Sequence, residues 1–340
     1  MKSCTLLLLL ITQLAYSQTL HWKNIEPKTD ASFRGLSVVD GNVAWVSGTK
    51  GWVGRSTNAG SDWTFKQVKG FEQCDFRSLY AFDSLTAVIA NAGTPAFILR
   101  TNDGGHNWQV VYKNEDTAAF FDGVDFWNNK EGIIYGDPIK GRMFLLRTND
   151  GGQSWKKLPQ TNRPAIEKGE ASFAASGTCI RCFQNNKIAI VTGGMSARLF
   201  FSTDKCKTWN FIRSPIVQGT ISAGIFSVAC LDEKTAIVVG GDYKKENSSA
   251  DNAYFFYTNG DHPTWKFPTV STRGYRECVE YISKKTALAV GPTGVDISYD
   301  KGITWKPFSD EKGFHVVRKS RKGSLIIIAG AGGKIAILKS

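Results

Sequence analysis

Five short residue pairs carry the groups in this sequence that could do chemistry together. Phe33-Arg34, Phe76-Arg77, Phe121-Asp122, Tyr275-Arg276 and Phe314-His315 each place an aromatic before a polar residue, at the start of a segment that reads as a strand. The aromatic suits core packing, and by the two-residue alternation of a strand the residue after it faces the other way. If the five segments are equivalent, those second residues converge. Arg34, Arg77 and Arg276 would then favour a carboxylate, a sulfate or an acidic side chain, which a guanidinium meets with two parallel N–H donors. The acids that could join them are Asp122, Asp137 of Tyr135-Gly136-Asp137-Pro138, and Glu170. They would serve either as ion-pair partners of the arginines or as the paired carboxylates of a hydrolase, and His315 completes the set.

Other chemistries find little support. His21, His106, His262 and His315 show no metal-ligand spacing, so no metal site is expected. Cys179-Ile180-Arg181-Cys182 has a redox spacing but lies in a strand, where residues three apart face opposite sides. Pairing among Cys74, Cys179, Cys182, Cys206, Cys230 and Cys278 cannot be read from spacing. A nicotinamide or flavin site needs a strand, a Gly-rich turn and a helix; no such unit occurs, and no cofactor is expected.

The elements that must position these groups are strands. The 34 Gly, 21 Phe and 10 Trp favour all-β structure with tight turns. One turn recurs. STNAGSDW ends at Trp63, RTNDGGHNW at Trp108, RTNDGGQSW at Trp155, STDKCKTW at Trp209, YTNGDHPTW at Trp265 and SYDKGITW at Trp305. The spacings of 45, 47, 54, 56 and 40 residues are those of four-stranded propeller blades. Asp or Asn accepts backbone N–H bonds in such a turn, Gly supplies positive φ, and Trp packs between sheets. In the first unit FRGLSVVD, NVAWVSG, GWVGRST and WTFKQV read as four successive strands. After Trp305 the chain supplies only FHVVRKS, GSLIIIAG and GKIAILKS, and LHWKNIEP near the N-terminus, with Trp22-Lys23, offers the missing fourth strand. The expected fold is a seven-bladed β-propeller over residues 18–340, closed by its two chain ends; six blades with an added hairpin is the alternative.

The N-terminal MKSCTLLLLLITQLAYSQ has a basic start, a short apolar run and Ala15-Tyr16-Ser17, the pattern of a signal peptide cleaved near Ser17. The expected location is therefore secreted or periplasmic, and no later segment is long and apolar enough to span a membrane. The formal charge is +12, and losing Lys2 with the leader leaves +11, which biases an exported protein towards anionic partners. Arg318-Lys319 with Arg321-Lys322 reads as a solvated hairpin turn.

The recurring turns resemble Asp-box, or bacterial neuraminidase, repeats, which occur in sialidases, in xyloglucan-cleaving enzymes and in the photosystem II stability/assembly factor family. The whole chain is most similar to the last group, through its regular spacing, ring closure and leader, and through the stretch EKGEASFAASGT from Glu167 to Thr178. That resemblance implies a non-enzymatic scaffold that helps membrane complexes assemble. Phe33-Arg34 also resembles the start of the sialidase Phe-Arg-Ile-Pro motif, but Gly35-Leu36 breaks it. The expected function is an exported binding scaffold, monomeric, taking a protein partner or an anionic glycan, and not nucleic acid. Its site is expected on the face opposite the recurring turns, from Arg34, Arg77, Asp122, Asp137, Glu170, Arg276 and His315. The alternative is a glycosidase that uses Asp122, Asp137 or Glu170 as catalytic carboxylates.

Overall fold

In each unit the inner strands are continuous apolar runs and the outermost strand is polar, so the inner ones must be buried on both faces. Ala44–Gly48, Ala87–Ala90, Ala287–Gly291 and Ile326–Gly330 are buried at every position, whereas Thr64–Gln67 is largely exposed. A computed structural model describes residues 20–339 apart from 185, 260 and 261; the expected leader, residues 1–17, lies outside the described residues.

The strands form seven antiparallel sheets arranged as a propeller, six of them carrying the recurring turn and the seventh closed by the two chain ends. Blade 1 is Phe33–Val38, Ala44–Gly48, Trp52–Ser56 and Thr64–Gln67, with strand one innermost; the later blades follow the same order, and the sheet of blade 5 is extended inward by Gly193–Gly194 and Glu170–Ala171. In blade 7, Phe314–Lys319, Ile326–Gly330 and Ile335–Lys339 are joined by His21–Ile25 from the other end of the chain. Trp22 pairs with Leu338, and its ring meets Phe308 of blade 6 edge-on at 5.3 Å. The expected seven-bladed closure thus holds over the six-bladed alternative, and the N-terminal strand covers an edge that would otherwise be open.

Five of the six recurring turns have one hydrogen-bond scheme. The first Ser or Thr hydroxyl accepts the N–H four residues on: Gly60 to Ser56 at 3.0 Å, Gly152 to Thr148 at 2.9 Å, Gly302 to Ser298 at 2.8 Å. The Asp or Asn side chain accepts another, as in Asn107 to Asp103 and Thr304 to Asp300. The Asn107 N–H is the main reason that the Asp103 carboxyl is held down to about 2. The turn presses the next Trp into the seam with the preceding blade. At Gly302 (φ +96°) a Cβ would lie 2.7 Å from Ile237 of that blade, so glycine is required for two reasons. Cys206 takes the same place in blade 4 at φ +67° and is buried.

Trp22→Ala should lower stability by about 2 kcal/mol, because it removes a half-buried indole at the closure. Urea unfolding checks this, and an unchanged midpoint would mean that the latch carries no energy.

Candidate functional site

Strand one of each blade runs along the central channel, and its first residues ring one end. Bulges at Phe33/Gly35, Phe121/Gly123, Ile225/Ser227 and Phe314/Val316 turn one residue per blade out of the ladder. Pairing with strand two defines the equivalent positions: Gly35 faces Ser47, Ser78 faces Ala90, Gly123 faces Tyr135, and Cys278 faces Val290. The ring at the hub is therefore Arg34, Arg77, Asp122, Thr178, Phe226, Glu277 and His315.

Arg276 is not in that ring. It sits one place earlier, where Phe33, Phe76 and Phe121 sit in their blades. It is fully buried and pairs with Asp296 through Nε at 2.9 Å and Nη2 at 2.6 Å, with Thr293 accepting from Nη1. A single-residue offset exchanges the two roles. Glu277 takes the hub position instead, and sequence reasoning missed it. It accepts from Arg34 at 2.5 Å and contacts His315 Nδ1 at 2.8 Å. Burial works against its charge, and Arg34 with His315 outweighs burial, so the carboxyl is held below the usual glutamate range.

The hub is not an open mouth. The segment 171–178 lies across it and is held from five blades. Arg34 Nη1 donates to Ala175 O at 2.6 Å, and Arg77 Nη1 to Ala174 O at 3.3 Å. Ser172 N donates to Asp137 at 3.2 Å, Ser176 Oγ to Glu277 O at 2.8 Å, and Phe173 stacks on Phe226 at 4.0 Å. Glu170 anchors the segment. Its carboxylate is buried and takes Arg198 Nε at 2.9 and 3.1 Å, with Thr192 as a further donor. Arg77 also pairs with Asp75 at 2.6 Å. Neither oxygen of the buried Asp122 has a hydrogen-bond partner among the described residues. Burial, and then Asp137 nearby, raises its pKa well above the usual carboxylate range. The seven candidate residues thus divide: Arg34, Arg77, Asp122 and His315 are brought together at the hub, Asp137 and Glu170 hold the covering segment, and Arg276 stands apart.

The channel is open at its other end, on the side of the recurring turns, as a cavity of about 230 Å³. Three residues beyond each hub position the strands contribute Ser37, Tyr80, Asp125, Arg181, Ala229, Glu280 and Arg318. Arg181 donates to Glu280 at 2.6 Å and Arg318 to the same oxygen at 3.3 Å. Arg321 lies over the Tyr80 ring at 4.4 Å and donates to Ser37 at 3.1 Å. Arg181, Arg318, Lys319 and Arg321 here face two acids, Asp125 and Glu280, leaving a net charge of +2. Burial pushes both carboxyls up, against the pull of Arg181. The basic turn at 318–322 is therefore part of the channel rim rather than a detached hairpin. Cys179 and Cys182 flank Arg181 as thiols, pushed well above their ordinary range by burial.

Glu277→Gln should cost about 3 kcal/mol near neutral pH, because it leaves Arg34 uncompensated. A carboxyl with a lowered native pKa stabilises the fold above its unfolded pKa and stops doing so as pH falls through the native value, so the gap should close below about pH 4. Asp122 has the opposite sign: its raised pKa stabilises at low pH and is lost as pH rises, so Asp122→Asn should unfold no earlier than the parent near pH 7. Urea midpoints across pH check both, and parallel curves for Glu277→Gln would refute the hub assignment.

A family model described as "Photosynthesis system II assembly factor YCF48" matches residues 14–116 and 92–169, a little under half of the chain. Among solved structures, "YCF48 bound to D1 peptide" is similar at 16% identity with a TM-score of 0.68, covering 94% of this chain and 97% of that one. YCF48 from Cyanidioschyzon merolae is similar at 17% identity and 0.62, covering 93% and 98%. A glycoside hydrolase family 74 xyloglucanase from Xanthomonas campestris shares the fold at 13% identity and 0.59, covering 94% of this chain and 53% of the enzyme. No curated protein matches the sequence. The chain is a seven-bladed β-propeller of the type found in the photosystem II assembly factor YCF48, whose sequence pattern runs through its N-terminal half and whose fold it keeps throughout.

Proposed function

We propose that the chain is an exported, non-enzymatic binding scaffold that takes an acidic segment of a partner protein at the arginine-bearing open end of its channel. The observation that carries this reading is the imbalance at that end: four cationic side chains converge on two carboxyls, and both carboxyls have pKa values raised by burial. A carboxylate entering there meets Arg318 and Arg321 without displacing a full complement of anions. The solved YCF48 that carries a D1 peptide supports a peptide as the ligand class. At the hub, Glu170 is locked to Arg198 and Asp122 is sealed from solvent, and the arginines there are spent on the covering segment. The scaffold reading therefore rests on the opposite end from the one that the strand starts suggested.

The test is a fluorescence-anisotropy titration with an acidic peptide and, separately, with a D1 peptide. Arg318→Ala with Arg321→Ala should weaken binding by at least about tenfold, the scale for losing paired charged contacts. Acidification from neutral pH should tighten binding, because Glu280 and Asp125 take up protons earlier than ordinary carboxyls and release the guanidiniums. Unaltered affinity in the double variant would refute the site.

A further inference from the structure

The seams between blades differ in one place. Trp63, Trp155 and Trp305 are buried in their seams, Trp108, Trp209 and Trp265 are half-buried, and Trp22 serves the closure; what differs is the level at which Trp265 enters. In these turns the residue after Trp pairs with the residue before the first hydroxyl: Arg55 with Thr64, Arg100 with Gln109, Arg147 with Lys156, Phe201 with Asn210, Ile297 with Lys306. Blade 5 breaks the rule. Its ladder runs on through Thr258 with Pro263 and Asn259 with His262, so Lys266 pairs with Phe255 and not with Tyr257. The offset of two residues carries Trp265 about 7 Å along the strand, away from the turn face. There its Nε1 donates to Arg213 O at 2.7 Å.

What remains between blades 4 and 5 is a groove of about 700 Å³. Its walls include Ala189, Leu199, Phe201 and Phe211 from blade 4, and Ala236 and Phe256 from blade 5. Phe211 is 52% exposed. On the rim Lys187 is already paired with Glu233 across the seam, so the groove favours an apolar guest over a charged one.

We propose that this groove docks an aromatic side chain, tryptophan or phenylalanine, carried by an extended segment of a partner protein. In the neighbouring seams an indole enters from the turn face; here Trp265 lies two residues further along the same seam, packed on Phe256 at 5.3 Å, and leaves the turn-face end to the groove. The site is separate from the charged channel end.

The test uses ligand-observed NMR on the full chain with N-acetyl-tryptophanamide and with a short peptide carrying one central tryptophan. The amide should bind saturably at about 1 mM and the peptide about tenfold more tightly. Phe211→Ala, at an exposed position, should weaken the peptide at least about fivefold. Thr235→Trp should block it by filling the groove, and Arg318→Ala with Arg321→Ala should leave it unchanged, which separates this site from the channel site. No saturable binding, or binding indifferent to both groove variants, would overturn the proposal. So would a peptide no tighter than the amide, which would indicate a small-molecule site, or a dimer of this chain that Phe211→Ala dissolves.

Discussion

No blade in this wheel has a core of its own. Both faces of each sheet are covered by neighbours, so stability resides in the seams, and the seams must be filled out to the rim. The hydroxyl–amide–carboxylate turn fulfils that need by fixing where an indole enters. Serine or threonine accepts one N–H, aspartate or asparagine another, and glycine permits close approach to the next sheet. The same need explains the latch, since blade 7 lacks a turn of this kind and draws a strand and a tryptophan from the far end of the chain. It also explains why a two-residue offset in blade 5 has so visible a consequence.

The channel is asymmetric for a related reason. Five of the residues at the hub, Arg34, Arg77, Asp122, Glu277 and His315, are ionisable and cannot be left unmatched in a narrow, buried ring. Glu277 between Arg34 and His315 balances one side, and the carbonyls of Ala174 and Ala175 occupy the remaining donors. The covering segment is thereby both a lid on the hub and its hydrogen-bond partner, with Glu170 and Arg198 as its anchor. At the other end the charge is left in excess, and that end remains open to solvent.

The wheel itself was legible in the sequence. The turn recurs with its own hydrogen-bonding residues, the strands between are short and apolar, and Trp22-Lys23 repeats the start of a fourth strand. The hub was less so. Tyr275-Arg276 imitates Phe33-Arg34 in type, but Arg276 finds Asp296 and Thr293 inside its own blade and takes the place of the aromatic, which moves Glu277 to the centre. Only the strand pairing reveals that offset. Arg181 was visible as part of a cysteine pair and Arg318 as part of a basic turn, yet each stands three residues beyond a hub position, a spacing that would have found both. The path of 171–178 depends on contacts with five blades and has no local signal. In YTNGDHPTW the displaced glycine and added proline marked the fifth turn as unusual, while the groove beside it follows from pairing across the ladder.

The hub is closed by segment 171–178, and the binding end that we propose is the turn side, opposite to the one that the strand starts suggest. A structure of the chain with an acidic peptide tests it most directly. The account requires the peptide carboxylate to lie against Arg318 and Arg321, with segment 171–178 still bonded to Arg34 and Arg77. A peptide seated on Arg34 and Arg77, with that segment displaced, would contradict it.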